Sequence, residues 1–320
     1  MGRIPPLPRR PAGGTRKSTL VGTAAGAMAA LALTVSCSPG VSPAGVPAAA
    51  PTAAAPASPV TAEINQLRDD YSHQIIAIQL TNTTSDRLTV LGARLASPLY
   101  AGAIEWQATP GGIELPPGQT KALPAQLRAP QCGARTAGPG EGAAVALQLA
   151  ESTGTRTAAT VGATDPYGVL GRNNAEMCLA QAAAAVADIR LDPVLEVAAD
   201  ARSAVLGLAI TPRHAPGAVN PDSTGTLTIN RVDGTTLLDE DPGVPWPRSV
   251  SVSAGGPSQH FRLGIRPARC DPHAIADDKV GTLLPLRVTA GGRDGVLKID
   301  AGPLLRGRIY EFITTSCGRQ

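Results

Sequence analysis

Four cysteines with a repeated spacing constrain the fold of this chain more than any other feature. Cys132 and Cys178 are 46 residues apart, and Cys270 and Cys317 are 47 residues apart. A shift of 138 residues brings Cys132 onto Cys270 and Cys178 to within one residue of Cys317. Unrelated sequence would rarely show this register, so the spacing predicts two tandem copies of one domain.

The only two tryptophans support the duplication. Trp106 precedes the first cysteine of its half by 26 residues, and Trp246 precedes that of the second half by 24. Four cysteines permit three disulfide connectivities, and the repeat selects the intradomain bonds Cys132–Cys178 and Cys270–Cys317. Because aromatic residues are scarce, we expect both tryptophans to pack in or between the sheets rather than to form exposed platforms for sugar rings.

Short runs of alternating apolar residues, bounded by Gly, Pro, Asn and Asp, predict antiparallel sheets. The run Ile78-Gln79-Leu80-Thr81-Asn82-Thr83-Thr84 resembles the early strands of bacterial immunoglobulin-like domains. We therefore expect an all-β chain of two tandem Ig-like β-sandwiches with one disulfide each. Strands are predicted at 74–80, 88–91, 144–149, 204–210, 226–230, 249–253, 261–265, 283–289, 295–299 and 308–314.

Two segments need separate interpretation. Residues 174–188 contain a run of alanines, which favours a short helix joining the domains, although a last strand running directly into the next domain is the alternative. The predicted strand at 308–314 carries Tyr310 and Phe312. It is expected to be a core strand, and at a sheet edge it could recruit a partner strand.

The N-terminus is typical of an export signal. Five basic residues and no acidic one precede an apolar run at 20–35, which is short for a membrane span. The following Leu33-Thr34-Val35-Ser36-Cys37 resembles a lipobox, although Thr34 stands where that pattern prefers Leu. The resemblance implies cleavage before Cys37 and a lipid on its thiol. An ordinary secretory signal or an uncleaved anchor is the alternative.

The residues after Cys37 predict a tether. Residues 38–59 consist of small residues, Pro, Val and Thr without any charge, and such a segment cannot bury enough apolar surface to fold. The predicted organisation is a signal peptide at 1–36, a lipidated cysteine and linker at 37–61, a first domain at 62–183 and a second at 184–320.

The charge of the chain argues against nucleic acid as a partner. The formal charge of +3 comes from 28 basic and 25 acidic residues, and five of the basic residues lie in the signal. The mature chain therefore carries 23 basic and 25 acidic residues, with no basic patch of the kind that nucleic acid requires.

One loop of the second half could carry chemistry. Asp271, His273, Asp277, Asp278 and Lys279 lie within nine residues and could form a low-affinity binding site, hold a divalent cation or pair an acid with a base. Turn formation is the stronger interpretation, because Asp-Pro opens turns and loops between strands are normally polar. No catalytic motif or cofactor-binding motif was found elsewhere, so neither a cofactor nor a metal is predicted.

The same stretch carries a family resemblance. Arg-Cys-Asp-Pro-His-Ala at 269–274, followed by an acidic pair, Lys and Gly-Thr, resembles a group of secreted proteins and lipoproteins of high-GC Gram-positive bacteria. The resemblance spans most of the second half. It implies a place in the cell envelope and no particular activity.

These observations predict a non-enzymatic binding module on the extracytoplasmic face of the cell membrane. Its expected contacts are the membrane, through the lipid, and another envelope protein or a cell-wall polymer. The alternatives are a secreted form without the lipid, a metal-dependent or acid/base enzyme that uses the 271–278 loop, and a small-ligand binder that uses this loop or the cleft between the repeats.

Overall fold

The computed structural model describes residues 58–133, 142–213, 225–276, 278 and 280–318. All of them belong to one compact unit, Ala55–Gln320. The predicted signal peptide, Cys37 and all but the last residues of the predicted linker lie outside the described residues.

Within the described residues, the first repeat contains eight strands and a closing helix, α1. The strands are ordered β4-β3-β7-β8-β1-β2-β6, with β5 paired to β3. Neighbours are antiparallel except β1 and β8, which run parallel and join the two layers. The elements are β1 (Val60–Asn65), a 3-10 turn (Arg68–Asp70), β2 (Ile75–Asn82), β3 (Leu88–Ala96), β4 (Ile104–Glu105), β5 (Ile113–Leu115), β6 (Thr120–Gln126), β7 (Ala144–Glu151), β8 (Arg156–Thr164) and α1 (Val169–Val186).

The second repeat contains two four-stranded sheets, ordered β12-β14-β10-β9 and β13-β11-β15-β16. A second long helix, α3, follows the last strand. The elements are β9 (Ala187–Val197), β10 (Ala204–Pro212), β11 (Thr226–Val232), β12 (Leu238–Glu240), β13 (Arg248–Ser253), β14 (Gln259–Pro267), the short helix α2 (Pro272–Ala276), β15 (Leu283–Ala290), β16 (Arg293–Asp300) and α3 (Gly302–Cys317).

The strand pairings of the two repeats correspond. Five pairings of the first repeat have an equivalent in the second. In the first layer, β1–β2 corresponds to β9–β10 and β2–β6 to β10–β14. In the other layer, β3–β7 corresponds to β11–β15, β3–β5 to β11–β13 and β7–β8 to β15–β16. The fold is mainly β and sandwich-like, as the sequence predicts. The parallel β1–β8 pair has no recorded equivalent between β9 and β16, so the described parts of the repeats differ where their layers meet.

Both predicted disulfides are confirmed. Cys132 bonds to Cys178 and Cys270 to Cys317, with Cα–Cα distances of 5.4 and 5.2 Å. In each repeat the bond joins the segment after the sixth strand to the closing helix. Each disulfide therefore ties its closing helix to the end of the sixth strand.

Alternating apolar side chains fill the cores. In β2, Ile76, Ile78 and Leu80 are all fully buried. Trp246 lies in the second core and donates from its indole Nε1 to the Gly264 carbonyl at 2.6 Å. Trp106 is partly buried against the first core. Both tryptophans therefore pack as expected.

Helix α1 belongs to both cores. Val169 and Leu170, in its first turn, pack into the first core, whereas Leu179, Ala183 and Val186 belong to the second. The predicted junction helix is confirmed, but it begins five residues earlier than expected. The proposed boundary at 183/184 lies inside it, and β1 begins at Val60, two residues before the predicted start of the first domain.

A buried carboxylate fixes the start of this helix. Asp165 is 4% exposed and accepts from the backbone N–H groups of Val169 and Leu170 at 2.7 and 2.9 Å. These N–H groups have no partner inside the helix, and a carboxylate at the positive end of the helix dipole stabilises it.

The predicted strand at 308–314 is wrong, because these residues form part of α3. Leu305, Ile309, Phe312 and Ile313 are buried at helical spacing and cover the second core. A short apolar run cannot distinguish the two states by periodicity alone. The proposed sheet edge at Tyr310 and Phe312 is therefore excluded. None of the helices among the described residues has the length and apolar character needed to cross a membrane.

Candidate functional site: the junction of the repeats

The structure separates the residues of the predicted 271–279 loop. Asp271 and His273 are exposed at α2, where the Asp271 carboxylate accepts from the His273 backbone N–H at 2.9 Å. Asp277 and Lys279 lie outside the described residues. Within the described ranges, no three His, Cys, Asp or Glu side chains are grouped so that they could hold a metal ion.

Asp278 holds the loop in place. Its carboxylate accepts from Thr236 Oγ1 at 2.5 Å, from the Gly281 backbone N–H at 2.9 Å and from the Tyr310 hydroxyl at 2.9 Å. Burial, and then the bond to the Asp278 carboxylate and its charge, raise the pKa of Tyr310 to about 12. These contacts give Asp278 a structural role in tying the loop to α3.

A polar cluster joins the two repeats. Tyr71 follows the 3-10 turn of the first repeat and donates from its hydroxyl to the Glu176 carboxylate of α1, at 2.6 and 2.8 Å. Lys298 of β16, in the second repeat, donates to the Tyr71 hydroxyl and lies 3.3 Å from Glu176. The cluster therefore brings together one residue from the β1–β2 connection, one from α1 and one from the second repeat.

Cations also contact the Tyr71 ring. Lys298 Nζ lies 3.9 Å from the ring centroid, and the Arg172 guanidinium lies 5.6 Å from it. Burial and the neighbouring Glu176 carboxylate raise the pKa of the Tyr71 hydroxyl. Tyr71 therefore stays neutral and donates to Glu176 at physiological pH.

Two adjoining depressions share Tyr71, Leu283 and Lys298 in their linings, and they form the two lobes of the junction cleft. The more polar lobe, about 160 Å³, includes Asn173 and Glu176 in its lining. The apolar lobe is about 250 Å³ and is lined by Tyr71, Gly234, Thr235, Thr236, Val280, Leu283, Pro285 and Lys298. A concave surface with apolar walls and a few fixed polar groups is typical of a binding site.

The predicted loop borders this cleft at one end. Thr236, which bonds to Asp278, lines the apolar lobe together with Val280. Asp278 therefore supports a wall of the cleft, whereas Asp271 and His273 are not among the residues that line it. Tyr71, Glu176 and Lys298 had not been predicted, because they are more than 100 residues apart and belong to no shared motif.

A second depression, about 480 Å³, lies on the outer face of β1 and its neighbours. Thr61, Thr81, Thr120, Thr160 and Thr164 are among its lining residues. Thr81 and Thr120 hydrogen-bond to each other at 2.7 Å. Glu63 is the one charged residue among its lining side chains. It therefore offers fewer fixed charges than the junction cleft.

Comparisons with known proteins do not assign a family. No family model matches the chain, and no curated protein matches it. Among solved structures, the chain is similar to the CsuC–CsuE chaperone–tip adhesin complex of Acinetobacter baumannii, at 10% identity over 71% of this chain and 91% of that one, with a TM-score of 0.17.

Two further structures match with similarly low sequence identity and TM-score. The BSP domain of a biofilm-associated protein matches at 8% identity over 76% of this chain and 56% of that one, with a TM-score of 0.19. Red sea bream transglutaminase matches at 11% identity over 76% of this chain and 31% of that one, with a TM-score of 0.18. Likenesses this weak carry no functional argument, so function rests on the geometry.

Proposed function

We propose that this protein is a non-enzymatic binding module of the cell envelope, anchored by a lipid on Cys37, which engages its ligand at the junction cleft. The observation that carries the proposal is that α1 packs into both cores while Glu176 on the same helix meets Tyr71 and Lys298. A cleft whose walls are fixed in this way is preorganised, so less conformational entropy is lost on binding.

Several features support the proposed location. The two disulfides suit an oxidising compartment outside the cytoplasm. The apolar N-terminal run that ends at Cys37 and the uncharged segment after it are typical of a lipid-anchored protein. An anchored domain on a tether can present the junction to wall polymers, membrane components or other envelope proteins.

Binding accounts for the described contacts better than catalysis at the 271–278 loop. The Asp278 carboxylate is occupied by three protein donors, and the Asp271 carboxylate accepts from the backbone N–H of His273. A general base needs its side chain oriented toward the group that it deprotonates. The polar groups at the junction are instead fixed around an open cleft.

The experiment is photo-crosslinking of the lipidated protein in its own membrane. Ser72 is exposed and lines the polar lobe, and Ser152 is exposed in the β7–β8 turn, outside the cleft. A photoreactive amino acid at Ser72 should give one dominant adduct, identified by mass spectrometry, whereas the same residue at Ser152 should give none. Equal labelling at the two positions, or no adduct at Ser72, would refute the junction as the binding site.

The anchor is tested separately. Replacing Cys37 by Ser should abolish incorporation of a fatty-acid label into the protein, because a thiol is required for lipidation. A Cys37→Ser protein that incorporated as much label as the wild type would show that the lipid anchor on Cys37 is wrong. The crosslinking result does not depend on this outcome.

A further inference from the structure

The outer edge of β9 differs from the equivalent edge of the first repeat. There, β1 pairs with β2 on one side and with β8 on the other, where Ala62 lies beside Ala163. In the part of the chain that the structure describes, its counterpart β9 pairs with β10 only. The duplication therefore shows, within one chain, that an edge at this place in the sandwich can take a further strand.

The register of β9 shows which of its backbone groups face outward. The Ala198 N–H donates to the Ser203 carbonyl at 3.0 Å, so these two residues form a hydrogen-bonded pair of the ladder. Hydrogen-bonded and non-hydrogen-bonded pairs alternate along antiparallel strands. Leu195 and Val197 therefore belong to the non-hydrogen-bonded set. Their N–H and C=O groups point away from β10.

A groove of about 310 Å³ lies along this edge, between β9 and α3. Its lining residues are Leu195, Val197, Arg308, Glu311, Phe312 and Thr315. Val197 is 48% exposed, and Val194 on the same strand is 57% exposed. Exposed apolar side chains beside outward-facing backbone groups are typical of an edge that pairs with another segment.

The preceding part of β9 is less accessible. Ile189 and Leu191 are partly buried against the second core. Pro193 has no N–H to offer, and its carbonyl accepts from Arg308 Nη1 at 2.6 Å. Proline and covering side chains protect a sheet edge from pairing. The accessible edge is therefore confined to residues 194–197.

The shape of the groove favours a single extended segment. Because α3 forms the opposite wall, a strand that adds to β9 has to fit between the strand and the helix. The edge of a second folded sandwich would meet α3. Successive side chains of a strand point to opposite faces. Every second side chain of such a segment would therefore contact Leu195, Val197 and Phe312.

The charges of the groove favour a segment without a large net charge. Its lining contains one cation, Arg308, and one carboxylate, Glu311. The neighbouring Glu196 is already paired with Arg262 at 2.8 Å. Neither a strongly acidic nor a strongly basic segment would therefore gain attraction from these side chains.

We propose that the groove between β9 and α3 binds an extended peptide segment of another protein, which adds to β9 as a strand and carries apolar side chains at alternate positions. Main-chain hydrogen bonds to Leu195 and Val197 hold the segment, and the apolar contacts select its residues. This groove shares no lining residue with the junction cleft. It is therefore a second binding surface, which lies in the second repeat.

The accessibility of the edge is tested by hydrogen exchange, followed by NMR, in the mature chain carrying Cys37→Ser. The amides of Leu195 and Val197 should exchange at least about tenfold faster than that of Glu196, which faces β10 in the ladder. Equally slow exchange at all three would overturn the proposal. Protection that depends on protein concentration would then identify a second copy as the occupant, and protection that does not would identify this chain itself.

Binding is tested by titrating a blocked hexapeptide of alternating threonine and valine and recording the amide shifts of the same protein. Methylating the backbone nitrogens of one alternate set of residues should weaken binding about tenfold, because these nitrogens donate to β9. Methylating the other set should have a much smaller effect. Absence of shifts at Leu195 and Val197 at the solubility limit of the peptide, or equal losses from both methylated peptides, would overturn the proposal.

Two neighbouring threonines of α3 provide matched variants. Thr315 lines the groove, whereas Thr314 is exposed and is not among the lining residues. Thr315→Trp should abolish binding of the hexapeptide by filling the groove, and Thr314→Trp should leave it unchanged. Circular dichroism confirms that both variants are folded. Undiminished binding by a folded Thr315→Trp variant would exclude the groove.

Discussion

Gly295 of β16 lies so close to Leu179 of α1 that a Cβ atom added to the glycine would be 2.8 Å from Leu179 Cδ2. Real side chains essentially never approach so closely. The missing side chain lets the C-terminal half of α1 enter the second core, where Leu179 is 3% exposed. This contact between the repeats helps to hold α1, the helix that contains Glu176, in place.

We expect Gly295→Val to lower the free energy of unfolding by about 1–3 kcal/mol, because overpacking forces neighbouring side chains and backbone to shift. Urea denaturation measures the loss. Gly162→Ala on β8 is the control, since an added Cβ meets nothing within 4 Å there. If Leu179→Ala fails to recover part of the loss in the Gly295→Val background, the two residues are not in the contact described.

The two disulfides should contribute differently to the free energy of unfolding, although they close loops of nearly equal length. The chain-entropy model assigns about 4 kcal/mol to each. Cys178 is 1% exposed in the shared helix, and the Cys132 carbonyl accepts a hydrogen bond from Arg293 of the second repeat. We therefore expect the paired Ala replacement at 132 and 178 to cost more stability than that at 270 and 317, measured by urea denaturation. The opposite order would argue against a structural role of the first bond at the junction.

Stability should fall in alkali through Tyr310. Its pKa is about 12 in the folded chain, above the ordinary value of about 10. A raised pKa favours the protonated form of the folded state, so the contribution is complete below pH 10 and is lost as the pH rises toward 12. Between pH 10 and 11 the wild-type urea midpoint should drop more steeply than that of Tyr310→Phe. Parallel slopes would show that Tyr310 does not titrate as inferred.

Two residues of the predicted loop should behave differently when replaced. Asp278→Ala should cost about 1–3 kcal/mol, because the buried Gly281 N–H and the partly buried Tyr310 hydroxyl lose their acceptor, as does the exposed Thr236 hydroxyl. His273→Ala should change stability by no more than about 0.5 kcal/mol, because the side chain is exposed. Thermal unfolding of both variants checks this. A bound metal ion that is present in the wild type and lost with His273→Ala would instead support the enzyme alternative.

Several strands that the sequence predicts correctly have regular apolar alternation, although β1, which alternates as well, and β9 were not predicted. β2, β10 and β15 carry Ile, Leu and Val at every second position, and these side chains fill the cores. β8, with Thr, Ala and Gly, has no such alternation and was not predicted. Helix α3 was assigned as a strand because its apolar residues were considered over only seven positions.

The cleft could not be predicted for a related reason. Tyr71, Glu176 and Lys298 each look like ordinary surface residues in their local sequence. They meet because α1 packs into both cores, and Leu179 of this helix packs closely against Gly295. Local patterns report which side of a strand is buried, but not which distant surfaces pack together.

The sequence alone determined the duplication, the sandwich class and the connectivity of both disulfides, because these follow from cysteine spacing and apolar periodicity, which are properties of position along the chain. Tertiary structure alone decided that one helix serves two cores, that residues 308–314 are helical and that a tyrosine, a glutamate and a lysine enclose a cleft. The first and third outcomes depend on close packing between residues more than 100 positions apart, such as Leu179 and Gly295, and the second depends on the contacts of α3 with the second core.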